Sequence, residues 1–371
     1  MNPPSPPLVW PPLLELPPTN MLVAYLDLNH WIGLAQASVG HPKGEAHNEV
    51  LQACRTARFA GHVMFVLSAT IYAEMQKIKD PMQRLRLAEV MEELTGFDTL
   101  VSRVVVMELE FSALLDPVAK LPNPLSRVNL IGRGVRHAFG LRSGFTIIGP
   151  SGDETESFRQ HYGAEAFDVF ASNAMLDMER SILRGPVGKN DEAALRAFGW
   201  NPESPASVAE SRAEQEREFK RILDADTKWR RGRLHDAISA RELIIEFENI
   251  RPRALEERGL VLTDIVWDQK SGRRLVHSMP STEVSIELKA AWHRNGQRDW
   301  AVNDIYDIDA LALATPYCDV VVTEKACHHI LSTAGLPERM GTTLLHRLSD
   351  LPNVLSDRKP KRQPFTRDTE T

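Results

Sequence analysis

The chain has 371 residues, 43% hydrophobic and 25% charged, with a formal net charge of −6. This is an ordinary globular composition with material for a sizeable core, long enough for one large domain or two ordinary ones. A net acidic balance excludes a general basic coat for nucleic acid while leaving room for a local basic groove, and no apolar run approaches the roughly 18 residues of a membrane span, so no membrane partner is expected. Three cysteines, Cys54, Cys318 and Cys327, are an odd number without framework spacing, and a reduced, cytoplasmic protein is the expectation.

Residues 1–20, MNPPSPPLVWPPLLELPPTN, lack the basic start of a signal peptide, and prolines interrupt every apolar stretch. They predict an extended tail packed through Trp10 and the leucines. MLVAYLDLNHW, 21–31, predicts a short apolar strand ending on Asp27, and a first helix follows over roughly 45–60. HVMFVLSATIYAEM, 62–75, predicts a second strand over 62–67, a Ser68 or Thr70 cap, and a helix with Glu74 in its first two turns. The helical pattern runs on to about 95, interrupted before Pro81. SRVVVM, 102–107, predicts a third strand, followed by a helix ending at Asp116 and Pro117. Strands alternating with helices at this spacing predict a parallel α/β sheet.

Between Asp116 and Asp153 there is no acidic residue, yet this stretch carries Lys120, Arg127, Arg133, Arg136 and Arg142. Residues 153–295 are charged and helical in pattern, and include KWRRGR at 228–233. The α/β pattern resumes near Trp300. The expected organisation is a tail (1–20), a first core part (21–117), a largely helical insertion (118–295), a second core part (296–350) and a polar C-terminal tail (351–371).

NDIYDIDALALATPYCDVVVTEKA, 303–326, predicts an acidic helix running into a buried strand that delivers Thr323 and Glu324 at its end. Asp304 and Asp307 are three apart and share a helix face. Chemistry in open α/β sheets sits at the carboxyl ends of strands, so Asp27, Glu74, Asp304, Asp307 and Glu324 are predicted on one rim. Unpaired carboxylates side by side repel, and a divalent cation relieves that repulsion. Oxygen-only donors suit Mg²⁺ or Mn²⁺ better than Zn²⁺. Each acid taken alone also fits a bland role: Asp27 a turn cap, Glu74, Asp304, Asp307 and Asp309 acids favoured by a helix dipole, Asp319 a loop cap. Cys327, His328 and His329 are too closely adjacent to chelate zinc well.

On these residues the chain resembles the PIN-like metal-dependent ribonucleases. LDLNHW, with Asp27 and Asn29, matches the acid that ends the first strand. Glu74 matches the acid on the helix after the second strand. Asp307, with Ala312 and Ala314 in small positions, matches the acid of the helix before the last core strand, and VVVTEKA, with Thr323 and Glu324, the strand-end element. Two features depart from the pattern: the final acid is Glu directly after the Thr, and the stretch between Glu74 and Asp307 is far longer than in small members. The resemblance covers 21–115 and 295–350. It implies a three-layer α/β/α core with a central parallel sheet, split by the insertion, and an endoribonuclease that hydrolyses phosphodiester bonds and leaves a 5′-phosphate.

In that reading Asp27 and Asp307 are the central Mg²⁺ or Mn²⁺ ligands, Glu74 and Asp304 hold metal or its water, and Glu324 completes a second position. Asn29 and Thr323 orient carboxylates or a phosphate. RNA contacts are expected from Arg127, Arg133 and Arg136, or from Lys228, Trp229, Arg230 and Arg231, with Trp229 stacking on a base. The alternatives are a structure-specific DNA nuclease of the same superfamily and a catalytically silent scaffold that binds RNA or protein. A haloacid-dehalogenase-like phosphatase would need an Asp where Asn29 stands. Toxin, phage-defence and RNA-processing roles all fit such a nuclease. So do an antitoxin or defence partner and a homodimer formed through the amphipathic insertion.

Overall fold

Two short, largely buried apolar runs form adjacent strands of the sheet: β1 (Leu22–Leu26) and β2 (Val63–Val66). The computed structural model describes residues 6–17, 20–141, 145–186, 188–197, 201, 203–266 and 268–357. The further strands are β3 (Asp98–Leu100), β4 (Ile131–Arg133), β5 (Val320–Val322) and β6 (Thr343–Leu345). Strands β6, β5, β1 and β2 lie side by side in that order, all parallel. A parallel bridge from Leu67 to Thr99 carries β3 alongside β2, and β4 runs antiparallel to β3. The register Ala24–Val320, Tyr25–Val321 and Leu26–Val322 sets the ends of β1 and β5 level with each other.

Helices connect these strands. In the first core part they are α1 (Leu28–Ser38), α2 (Asn48–Phe59), α3 (Ala69–Met75), α4 (Pro81–Thr95) and α5 (Arg103–Leu115). Local chemistry sets their ends: Ser68 caps α3, accepting from the Ile71 N–H, and Asp80 followed by Pro81 starts α4. Gly96, at φ 59°, ends α4 in the left-handed conformation that glycine tolerates. The long middle segment supplies α6 (Ala164–Arg184), α7 (Glu203–Ala225) and α8 (Leu234–Arg241), which continues into a π-helical turn at Glu242–Glu246. The chain then forms α9 (Pro280–Arg294), α10 (Val302–Tyr317) and α11 (Lys325–Thr333).

Three expectations need correction. SRVVVM is the start of helix α5, and the third strand lies earlier, at Asp98–Leu100. Ser102 caps that helix, and Val106, Met107 and Glu110 fall on its buried side while Val104 points outward. Burial on a helical period overrides the β preference of three consecutive valines. Helix α1 was not foreseen, because LNHWIGLAQAS is apolar nearly all round and has little periodic signal. The helix expected at 45–60 is a 3₁₀ turn, Pro42–His47, followed by α2.

The middle segment is fastened to the sheet domain in two ways. A second hydrophobic cluster joins Met107, Phe111 and Leu115 of α5 to Leu223 of α7, Leu234 and Ile238 of α8, and Ile286 of α9. Beside it lies a buried ion network. The ammonium of Lys289, 1% exposed, stands 3.2 Å from Glu216, 2.7 Å from Glu242 and 2.8 Å from Glu246. Arg241 pairs with Glu216 at 2.7 Å, and Arg212 bridges Glu246 and Asp309. Helix α9 packs along both α10 and α11, so the last stretch of the expected insertion is a neighbour of the core helices.

Residues 6–17 are also tied down. The Val9 N–H donates to the Ser278 carbonyl at 2.8 Å, Trp10 meets Tyr317 edge-on at 5.7 Å, and Leu14–Glu15 pairs in parallel with Val128–Asn129. Most of the expected C-terminal tail lies outside the described residues. Among the described residues, no helix is long and apolar enough to cross a membrane. Removing one partner of a buried network leaves charges unpaired. Lys289→Met should therefore lower the unfolding free energy by about 3–5 kcal/mol in urea titration. A loss under about 1 kcal/mol would mean that the network carries little of the fold.

Candidate functional site

Asp27 follows β1 directly. Its Oδ1 accepts from the Leu28 N–H at 2.8 Å, capping α1, and its own N–H donates to the Val322 carbonyl at 3.0 Å. Alongside, β5 ends at Thr323, and Glu324 stands immediately before α11. The two strand ends are linked by side chains, because Asn29 in the first turn of α1 donates Nδ2 to Glu324 Oε1 at 2.5 Å. Glu74 lies in α3, which follows β2, and Asp307 lies in the second turn of α10. The chain leaves β1 for β2 on one side, while β5 lies on the other. That is the point of an open parallel sheet where a crevice forms at the carboxyl edge.

Electrostatics joins these groups. Burial pushes the Asp27 carboxyl up to about 6, partly offset by the Leu28 N–H, and the Glu324 charge adds to the rise. Burial raises Glu74 to about 8; Asp27 and Glu324 push it further, with Lys77 opposing. Asp307 also rises to about 8, by burial first and then by the charges of Asp27, Glu74, Glu324 and Asp304. Asp27, Glu74 and Asp307 are half-buried and Glu324 is exposed. Among the described residues none of the four forms an ion pair within 4 Å.

The other acids of 303–326 are employed differently. Asp304 is buried; its Oδ2 accepts from the Ala301 N–H at 2.9 Å and its Oδ1 receives the Arg298 guanidinium. It closes the first turn of α10 with both oxygens engaged. Asp309, two residues past Asp307 and on another face, pairs with Arg103 at 2.7 Å and Arg212 at 2.5 Å. Burial would raise its carboxyl, yet Arg212 and Arg103 hold it below the usual range. Asp319 accepts from the Val23 N–H at 2.8 Å, tying β5 to β1. Thr323 is fully buried, and its hydroxyl has no hydrogen-bond partner among the described residues.

The basic stretches spend their charge locally. Arg127 meets Glu15 at 3.3 Å, and Arg133 donates to the Gly96 carbonyl. Arg136 lies in the short helix Gly134–Ala138, where its charge acts on Glu179. Trp229 packs against the second hydrophobic cluster, with the Arg233 guanidinium over its ring. Arg230 is bound to Asp224 and to the His293 carbonyl, while Lys228 and Arg231 are exposed. Arg142 lies outside the described residues.

Three neighbours of the acids escaped the sequence reading. Lys77 donates to Asn303 at 2.8 Å, sits 4.1 Å over the Tyr306 ring and feels both Glu74 and Asp307. Its spacing of three from Glu74 was the available signal. Arg298 had no such signal, since it reaches Asp304 across the turn before α10. His30 sits beside Thr323 and Glu324; burial lowers its imidazole pKa.

Among the described residues no three His, Cys, Asp or Glu side chains already stand at the spacing of a coordination shell. The four acids are electrostatic neighbours without being a preassembled chelate. Compared with family models, with curated proteins and with solved structures, the chain matches none.

Each of the three raised acids holds its proton more readily in the folded chain than in the unfolded one. Between about pH 5 and pH 8 the folded state therefore binds more protons, and unfolding free energy falls as pH rises. In EDTA the melting temperature should decline over that window. Asp307→Asn should flatten the decline and raise stability at pH 8 by about 1 kcal/mol. A wild-type melting temperature that is level or rising from pH 5 to 8, or a variant with the same slope, would contradict this electrostatic picture.

Proposed function

We propose that the chain is a metal-dependent nuclease, with RNA as the first substrate to test. One observation carries the reading. Four carboxylates from four separate elements gather at the carboxyl edge of a parallel sheet with no cation paired to any of them among the described residues. Proteins rarely hold such an unbalanced group without a use for it. The resemblance to PIN-like ribonucleases, which rests on the same residues, supplies the choice of phosphodiester hydrolysis and of RNA.

The donor set fits Mg²⁺ or Mn²⁺. Every donor is a carboxylate oxygen, and hard ions of this kind keep several waters and take few direct protein ligands. That fits acids which are close without forming a shell. A divalent ion bound there would supply an activated water and neutralise charge developing on a phosphate. Asp27 and Asp307 would hold it, with Glu74 and Glu324 completing the set. Asn29 fixes the Glu324 carboxylate by its hydrogen bond, and the Thr323 hydroxyl offers a donor for a carboxylate or phosphate oxygen. Lys77 brings a positive charge to the side of Glu74 and Asp307. Asp304, with both oxygens engaged, orients the start of α10 and acts through Asp307.

The test is cleavage of labelled single-stranded RNA, structured RNA and single-stranded DNA with Mg²⁺, Mn²⁺ or EDTA. Cleavage should require metal and fall by about a hundredfold or more in Asp27→Asn and in Asp307→Asn. Asp304→Asn should cost less than either. Equal cleavage by wild type and both primary variants would remove the assignment. Metal-dependent cleavage confined to DNA would move the reading to the DNA nuclease.

A further inference from the structure

A cavity lies away from the four acids, between the helix Gln269–Ser278, α9 and the second half of α11, with Pro6 and Pro7 closing one side. Its volume is about 930 Å³, the size of sites that enclose a small molecule. Its walls are cationic in a chain that is acidic overall: Lys270, Arg273, Arg274 and Arg294 line it. Among the described residues Lys270, Arg274 and Arg294 form no ion pair, and only Arg273 has a partner, Asp236 at 3.1 Å.

The two lining carboxylates are already engaged with other side chains and are outnumbered by the four cations, although the charge of Arg294 reaches Glu287. Glu283 accepts from His277 at 2.9 Å and from Arg339 at 2.5 Å, and Glu287 lies 3.3 Å from His235. The rings of His235 and His277, both lining the cavity, stack with centroids 5.9 Å apart. Unpaired guanidinium and ammonium groups converging on one concavity concentrate anions there, and guanidinium forks match phosphate oxygens in geometry.

We propose that this cavity binds a phosphate-bearing small molecule of nucleotide size. The cations take the phosphate oxygens, and the stacked imidazoles line the space beside them. The inference does not rest on the nuclease reading, since none of the four acids lines the cavity. The two sites share α11, which starts beside Glu324 and presents His329, Ile330 and Thr333 to the cavity.

Binding of ATP, inorganic tripolyphosphate and a ten-nucleotide RNA to the full chain should be measured by calorimetry at low salt. EDTA and the Asp307→Asn background keep the readout independent of cleavage. ATP and tripolyphosphate should bind, and each should weaken by about tenfold or more in Arg274→Gln/Arg294→Gln, whose altered side chains are exposed. The exposed control Arg221→Gln should bind as the parent does. Three results would overturn the proposal: no binding of ATP or tripolyphosphate at millimolar concentration, binding unchanged in the double variant, or binding of RNA alone.

Discussion

Mutual repulsion among Asp27, Glu74, Asp307 and Glu324 is the constraint that the rest of the molecule has to meet. Carboxylates drawn together and partly removed from water resist ionisation, which is why Glu74 and Asp307 rise to about 8. Helix α10 makes the point within one element. On one face Asp307 meets other acids and no paired cation; on another, Asp309 is held by Arg103 and Arg212 and its carboxyl falls below the usual range. Arginine partners are thus within reach of this helix. Arg298 meets Asp304, and Arg103 and Arg212 meet Asp309, whereas Asp307 between them has no ion-pair partner among the described residues.

Holding like charges together requires a frame that does not relax. Two hydrogen bonds tie β1 to β5: the Asp27 N–H donates to the Val322 carbonyl, and the Val23 N–H donates to the Asp319 carboxylate. Behind α10, Lys289 and its three glutamates join α7, the turn after α8 and α9 to the sheet domain, with Arg212 passing from that network to Asp309. Charge there is balanced and buried; at the sheet edge it is neither fully buried nor balanced. The middle segment therefore acts first as a brace for α10. Its buried ions are costly if any one partner is lost, because the charge left behind has no water to solvate it.

Much of this was legible in the sequence. Apolar runs ending on Asp27 and on Thr323 marked strands and where they stop, and the spacing of Glu74 after Ser68 placed it on a capped helix. What could not be read depends on contacts that regular helix or strand spacing does not give. Whether Asp304 is free or engaged turns on Arg298, the role of Arg230 on Asp224 and His293, and that of Trp229 on the second hydrophobic cluster. Local propensity misled at 102–107, where valines that favour a strand are recruited to a helix because one face buries against the middle segment. The cationic cavity draws on residues from Pro6 to Ala334, which no window of sequence brings together.

The most direct test of the central claim is Mn²⁺ binding measured by calorimetry at pH 7 in two buffers of different ionisation enthalpy. Acids that keep their protons near neutrality must release them to a metal, so the account predicts binding whose apparent enthalpy differs between the buffers by proton release. It also predicts loss of that binding in Asp27→Asn/Asp307→Asn. Absence of Mn²⁺ binding by the folded wild type, or equal binding by the double variant, would contradict the claim that these carboxylates form a cation site.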